Sequence, residues 1–441
     1  MPLKNLRLLL VLLPLPALAQ QPPALTLRQA LAEGLQRNYD ILLSRQDAQI
    51  AANNVTPGNA GQLPRLTANA TRTFNNTNIN QRFGDADPRV VNGATSNLLN
   101  TNLTLGWTLF DGFGMFIAHD RLRALSQQQQ ETTRATVEET VEAISNAYFD
   151  VVRQTAQVRA LTAALAIGQA RIDLTQARVD VGVAAKVEVL TARVDYNADR
   201  SLLLQQQQGI TAAKVALNAL LGRAPAQDFR AVDSLVVRRD LQPDSLAAAR
   251  AARNPRLAAA RRAATVAAAE RRLARAARYP TLGAVAGYGL TRNINNAAFA
   301  GLVLTNSTNQ VLGFNYGLTA ALPLYGGGNL RRLEQNARLA EVQSQLRLDQ
   351  TALQLTADAT TAFAQYQNYL ALLALETDNL ALADQNVAIA LERYRLGLVA
   401  PLVLREAQRS QIAAATRRYD IEYAAKTAET QLLRLSGELV R

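Results

Sequence analysis

His119 stands beside Asp120 and is the only histidine in a chain of 441 residues. An imidazole next to a carboxylate could move a proton or hold a metal ion, yet with no cysteine and no second histidine the pair lacks the other ligands of a metal site. Tyr325-Gly326-Gly327-Gly328 precedes a helical pattern and could cradle a phosphate on backbone N–H groups, but the lysine and hydroxyl residue that complete such a loop are absent. Its counterpart Phe110-Asp111-Gly112 points to a plainer role, a tight exit from strand into helix. Gln127 to Gln130 and Gln205 to Gln208 read as solvated helix surface. No nucleophile, base and oxyanion donor come together, so the expectation is no enzyme, no cofactor and no bound metal.

The net charge of +12 raises nucleic acid as a partner. Its densest source is residues 256–278, where Arg256, Arg261, Arg271, Arg272, Arg275 and Arg278 fall on one helical arc. Ala259, Val266, Ala269, Leu273 and Ala277 fall on the other. No aromatic platform for stacking bases accompanies these arginines, which argues against nucleic acid and for a basic helix face turned to solvent or anionic lipid.

The elements that must carry these residues are unusual. The opening nineteen residues hold Lys4 and Arg7, an apolar run broken by Pro14 and Pro16, and Ala17-Leu18-Ala19, the pattern of a secretory signal peptide over residues 1–19. No later segment is apolar for long enough to be a membrane-spanning helix. Leu103, Leu105, Trp107 and Leu109 alternate with small polar residues, as on a strand with one oily face. Leu282, Tyr288 and Leu290 share the face of a later strand, and Phe314, Tyr316 and Leu318 that of a fourth. The first and third strands, near 65–74 and 281–291, are each followed by an Asn-rich stretch expected to be loop, to about Asn100 and from Arg292 to Leu312. Strands of about ten residues with this alternation match a tilted membrane barrel, so these side chains are expected to face outer-membrane lipid. Trp107, Phe110, Tyr279 and Tyr325 would suit an aromatic girdle. Four strands cannot close a barrel, and open edges in lipid leave backbone groups unsatisfied, so several chains must share one.

The chain is also duplicated. Leu103 and Leu318, Leu109 and Leu324, Gly112 and Gly327, and Gly182 and Gly397 are each 215 positions apart. The first repeat spans 24–222, a connector 223–243, and the second repeat 244–437, each read as helix, two strands and a long helical hairpin. A single helix is expected over 26–53. Val137, Ile144, Val151, Val158, Leu165, Ile172 and Val179 recur every seven residues, and the same offset gives Ala352, Ala359, Tyr366, Leu373, Leu380, Val387 and Tyr394. Sustained heptads mean coiled coil. A continuous helix from Met115 to Val181 would run about 100 Å at 1.5 Å per residue. The heptads stop at Gly182 and Gly397, after which a shorter helix returns.

Tyr279-Pro280-Thr281-Leu282 with Leu63-Pro64-Arg65-Leu66, the exits Leu109–Gly112 and Leu324–Gly327, and the hairpins ARVDVGVAAKVEVLTAR and ERYRLGLVAPLVLREAQ together resemble the TolC family of outer-membrane efflux proteins, over nearly all of the mature chain. The resemblance implies a mainly α fold with a membrane β-barrel portion: a tandem-duplicated long-helix barrel with four strands per chain, which as a homotrimer completes a 12-stranded barrel. It implies the outer membrane of a Gram-negative bacterium and a passive exit duct, joined to a periplasmic adaptor (membrane fusion protein) and an inner-membrane transporter of RND, ABC or MFS type. The turn residues that would dock the adaptor match Val181, Gly182, Val183 and Ala184, and Leu396, Gly397, Leu398 and Val399. The hydroxyl residue usual in these turns is missing from both. Residues matching a periplasmic constriction are Glu188, Tyr394 and Glu406, while Val399 and Val403 stand where a basic and an acidic partner are expected. An exported, soluble coiled-coil scaffold is the alternative, since it needs the heptads but not the strands.

Overall fold

The computed structural model describes residues 22–82, 84–85, 87–300 and 303–440, so the expected signal peptide lies outside the described residues. In chain order the elements are β1 (Ala24–Leu25), α1 (Leu27–Arg37), α2 (Tyr39–Asn53), β2 (Arg65–Gln81), β3 (Arg89–Phe110), α3 (Gly114–Asp180), α4 (Lys186–Leu220) and β4 (Arg230–Ala231). They continue as α5 (Pro243–Arg253), α6 (Pro255–Ala276), β5 (Thr281–Ala300), β6 (Val303–Ala321), α7 (Asn329–Arg395) and α8 (Pro401–Ser436). The order α1 to α4 with β2 and β3 is repeated by α5 to α8 with β5 and β6, and both α3 and α7 are 67 residues long. None of the helices among the described residues is long and apolar enough to cross a membrane.

Two compact units cut across the repeats. Of the described residues, one contains 22–42, 137–250 and 358–440, the other those within 43–136 and 251–357. In the first unit Leu25, Ala30, Ile144, Tyr148, Val151, Leu217, Leu221 and Phe229 form a closed apolar core. Gly34 lets α1 approach α3, for a Cβ there would overlap the Ile144 side chain. The Tyr148 hydroxyl lies 2.8 Å from the Leu25 carbonyl and 2.9 Å from the Asp233 carboxylate, and burial pushes its pKa up to about 12. An ion pair from Arg223 to Glu33 fastens the end of α4 to α1; its hydrogen bond outweighs burial and holds the Glu33 carboxyl below the ordinary range.

The expected single helix over 26–53 is two. Asn38 adopts φ −62°, ψ 128°, and its Oδ1 accepts from the Asp40 and Ile41 N–H groups. Its Nδ2 donates to the Leu220 carbonyl at 2.9 Å. One side chain therefore caps α2 and ties the break to α4. Asn254 repeats the cap before α6, accepting from Leu257 N–H at 3.0 Å.

The second unit holds an antiparallel sheet in the order β2-β3-β5-β6. Its strands are 17, 22, 20 and 19 residues long rather than about ten, because the Asn-rich stretches expected as loops continue the pairing. Asn, a poor strand former by propensity, is here held by cross-strand bonds: Arg72 Nε to Asn97 Oδ1, Asn75 Nδ2 to Ser96 Oγ, and Thr291 Oγ1 to Asn100 Oδ1. Register places Leu103 opposite Tyr288, Leu105 opposite Ala286, and Trp107 opposite Ala284. Tyr288 is opposite Phe314, Ala286 opposite Tyr316, and Ala284 opposite Leu318. Leu290 pairs with Thr101 and Leu312, in step with the same face. Directly opposed residues share a face, so these apolar side chains form one surface, with Thr67, Asn69, Asn102, Thr104, Gly287 and Asn315 on the other. At the end of β3 a bulge inserts Leu109, and Phe110 takes the place opposite Leu282. The strict alternation expected through Leu109 therefore breaks one residue early, although Leu109 stays exposed.

Candidate functional site: the two helical hairpin turns

The hairpin turns are built alike. At the end of α3, Gly182 takes φ +78° and its N–H donates to the Val179 carbonyl, while Val183 N–H reaches back to Arg178. At the end of α7, Gly397 takes φ +75°, donating to Tyr394, and Leu398 donates to Arg393. Each is a two-bond left-handed cap, which satisfies the last helical carbonyls and requires glycine at its bend. The returning helices start at Ala185 and Ala400, neither of which supplies a side-chain cap. Glu188 and Val403 N–H close onto the Ala185 and Ala400 carbonyls and Pro401 has no N–H, so Lys186, Val187 and Leu402 hold the first-turn N–H groups left for solvent or a partner. Around them Val181, Val183, Leu396 and Leu398 are 65–73% exposed, while Ala184 and Val399 are half-buried. Each tip is therefore an aliphatic knob with backbone donors, without a charge in the turn itself.

The three residues expected at a constriction part company. Glu406 is exposed and Glu188 half-buried near the start of α8 and α4. Tyr394 is fully buried among Val387, Ala390, Leu404 and Ala407, with Ile167, Leu174 and Val399 against the cluster. Its hydroxyl lies 2.7 Å from Thr175 Oγ1, and since Thr175 donates its own proton to the Arg171 carbonyl, Tyr394 is the donor of that bond. The Arg178 guanidinium sits 5.5 Å from the ring centroid. Within one chain Tyr394 joins α7 to α3 and sets where the second turn begins.

Sequence reasoning missed the strongest polar feature nearby. Arg405 on α8 grips Asp199 on α4 through two bonds of 2.6 and 3.1 Å, and its Nε lies 3.4 Å from Asp195. Arg171 on α3 holds the other oxygen of Asp195 at 3.0 Å. Arg171 and Asp199 are buried, and the Arg171 Nε has no partner among the described residues. Burial alone would lower the Arg405 pKa; the bonds and charge of Asp199, with Asp195, outweigh it and hold it above its ordinary value. The duplication carried a signal for this cluster, since the counterparts 215 positions away are Leu190, Ala414, Ser410 and Asn386, so the charges belong to one arrangement only. His119 is half-buried, and among the described residues no group of three or more His, Cys, Asp or Glu side chains is placed to hold a metal ion.

Comparison with known proteins agrees with this architecture. The outer membrane efflux protein family model matches residues 30–223 and again 246–438. Outer membrane protein TolC of Vibrio cholerae is 23% identical over 312 residues, 68% of this chain and 64% of the relative, so the match spans less than two thirds of that protein. Among solved structures, the outer membrane protein VceC from Vibrio cholerae superimposes with a TM-score of 0.75 at 21% identity, covering 93% of this chain and 96% of that one. The Campylobacter jejuni CmeC outer membrane channel gives 0.75 at 16% identity, covering 94% and 86%. The Neisseria gonorrhoeae MtrE outer membrane channel in its open state gives 0.71 at 17%, covering 94% and 89%. CmeC and MtrE are outer membrane channels, and this chain shares their mainly α fold with a membrane β-barrel portion. With both repeats matched over most of its length, the chain belongs to the outer membrane efflux protein family and is a protein of the Gram-negative outer membrane.

Proposed function

We propose that this chain is the passive outer-membrane exit duct of a tripartite efflux or secretion system, and that three copies close one 12-stranded barrel. The observation that carries this reading is the sheet itself. Among the described residues its edges β2 and β6 are unpaired, and it has an apolar face on which Tyr316 and Leu318 are each 81% exposed. In lipid an unpaired edge costs several kcal/mol per backbone group, so β2 of one copy must pair with β6 of the next. The helices support the same assembly. Leu375, Leu382 and Ile389 of α7, with Leu396 just beyond its end, recur every seven residues and are exposed, as are Leu339, Leu346 and Leu353, which are half-seams lacking their partner helix. A soluble scaffold would leave the apolar sheet face without a purpose.

In this reading Leu103, Leu105, Trp107, Leu109, Leu282, Tyr288, Leu290, Phe314, Tyr316 and Leu318 meet lipid. The turns at Val181–Ala184 and Leu396–Val399 dock a periplasmic adaptor, which in turn recruits an inner-membrane transporter of RND, ABC or MFS type that supplies the energy. Aliphatic tips with free backbone donors suit a partner that offers apolar side chains and carbonyl oxygens. Three copies each of Glu188 and Glu406 form acidic rings that favour cations, with Tyr394 fixing the helix that carries the second turn. Glu406→Ala is expected to reduce cation selectivity in planar bilayers, moving the reversal potential in a salt gradient toward zero. An unchanged reversal potential and unchanged single-channel current would remove Glu406 from the constriction.

A further inference from the structure

The arginine-rich α6 has no part in the duct as described, although it leads directly into β5. Some of its charge is neutralised internally: Arg271 pairs with Glu341 at 2.6 Å and Arg278 with Glu334 at 2.8 Å, both on α7. Arg272 and Arg275 are exposed and have no carboxylate partner among the described residues. Arg331 and Arg338, near the start of α7, are in the same condition, and so is Arg123 near the start of α3. Arg272 and Arg275 lie in the last two turns of α6 before β5, Arg331 in the first turn of α7, and Arg123 and Arg338 each at the tenth residue of α3 and α7.

The direction these arginines face follows from their neighbours. Arg123 comes seven residues after Phe116, on the same face of α3 and about 10 Å further along it. Phe113 and Phe116 are 63% and 55% exposed, and Phe113 packs edge-on against Phe110 at the strand end. The internal duplication puts Arg331 where Phe116 stands and Arg338 where Arg123 stands. Leu324 and Tyr325, at the entry to α7, are 89% and 90% exposed. Aromatic and leucine side chains next to unpaired guanidiniums are what a membrane interface selects: rings at headgroup level, and charges on long stems reaching phosphate. The headgroup zone extends about 5–8 Å beyond each side of the hydrocarbon; Arg272, Arg275 and Arg331 are nearest the strand ends, and Arg123 and Arg338 lie about two turns further along their helices.

We propose that Arg123, Arg272, Arg275, Arg331 and Arg338 form a belt that binds anionic phospholipid headgroups in the helix-side leaflet, selecting the lipid shell around the barrel. This rests on the barrel reading, and one reporter separates the two claims. Trp107 is the only tryptophan in the chain, 42% exposed on the apolar sheet face and three residues from the end of β3. The full-length protein is reconstituted into vesicles of phosphatidylcholine and phosphatidylglycerol in which one or the other lipid is brominated, and Trp107 quenching is compared. The expected result is quenching by both, with phosphatidylglycerol preferred about fivefold or more at low salt, the preference falling as salt screens it. The variant with Arg272, Arg275, Arg331 and Arg338 all changed to Gln is expected to keep its helical spectrum and its quenching but lose the preference, which the corresponding four Lys substitutions restore. Equal quenching by the two lipids in the wild type, or an undiminished preference in the Gln variant, would overturn the belt. No quenching by either lipid would instead overturn the placement of Trp107 in lipid, and the belt with it.

Discussion

Arg405→Met is expected to destabilise the hairpin region by roughly 3–5 kcal/mol, the usual cost of breaking a buried ion pair from one side. Asp199 would remain buried with its charge uncompensated, and Asp195 would keep only Arg171. The loss should appear as a lower melting temperature of the helical signal in detergent. Changing both partners, Asp199→Asn with Arg405→Met, removes the stranded charge and should recover much of the loss. If the single substitution melts with the wild type, the cluster is not a significant tie between α4 and α8.

The second large effect concerns one backbone position seen twice. Gly112 has φ +70°, and a Cβ there would lie 2.6 Å from Tyr279 Cβ and 2.7 Å from the Ala276 carbonyl oxygen. Its repeat counterpart Gly327 has φ +61° but no atom within 4 Å of such a Cβ. Asparagine accepts the left-handed conformation better than other side chains, so Gly112→Asn and Gly327→Asn differ mainly in what the new carbon meets. Overpacking against backbone costs about 1–3 kcal/mol, and here it falls where β3 leaves for α3 beside the entry to β5. Gly112→Asn should therefore sharply lower the yield of assembled, SDS-resistant protein, while Gly327→Asn should assemble near normally. Equal yields would show that the close approach at Gly112 is not required.

The long-range plan was legible because periodicity carries it. Seven-residue recurrence predicted a helix from Met115 to Val181, and α3 runs from Gly114 to Asp180. Ile144, Val151, Leu165 and Ile172, and Tyr366, Leu373, Val387 and Tyr394, are buried as heptad positions should be. Two-residue alternation likewise put Leu103, Leu105 and Trp107 with Tyr288 and Phe314, and the observed register agrees. Where a single side chain overrides the pattern, sequence reasoning failed. Asn38 interrupts an otherwise continuous helix by bonding Leu220, a residue 182 positions away. The Asn-rich stretches read as loop because asparagine disfavours strands, whereas partners such as Ser96 and Asn97 keep them paired. At the candidate site the turns were visible through Gly182 and Gly397, since only a left-handed bend explains glycine there. The ion cluster was not, because Arg405 and Asp199 are 206 positions apart and nothing local announces their meeting.

The most direct test of the account is native mass spectrometry of the protein extracted from outer membranes in mild detergent. Three copies of the chain in one particle is the predicted result, since three sheets of four strands pair every edge. A monomer released into water without detergent, its apolar sheet face exposed, would contradict it.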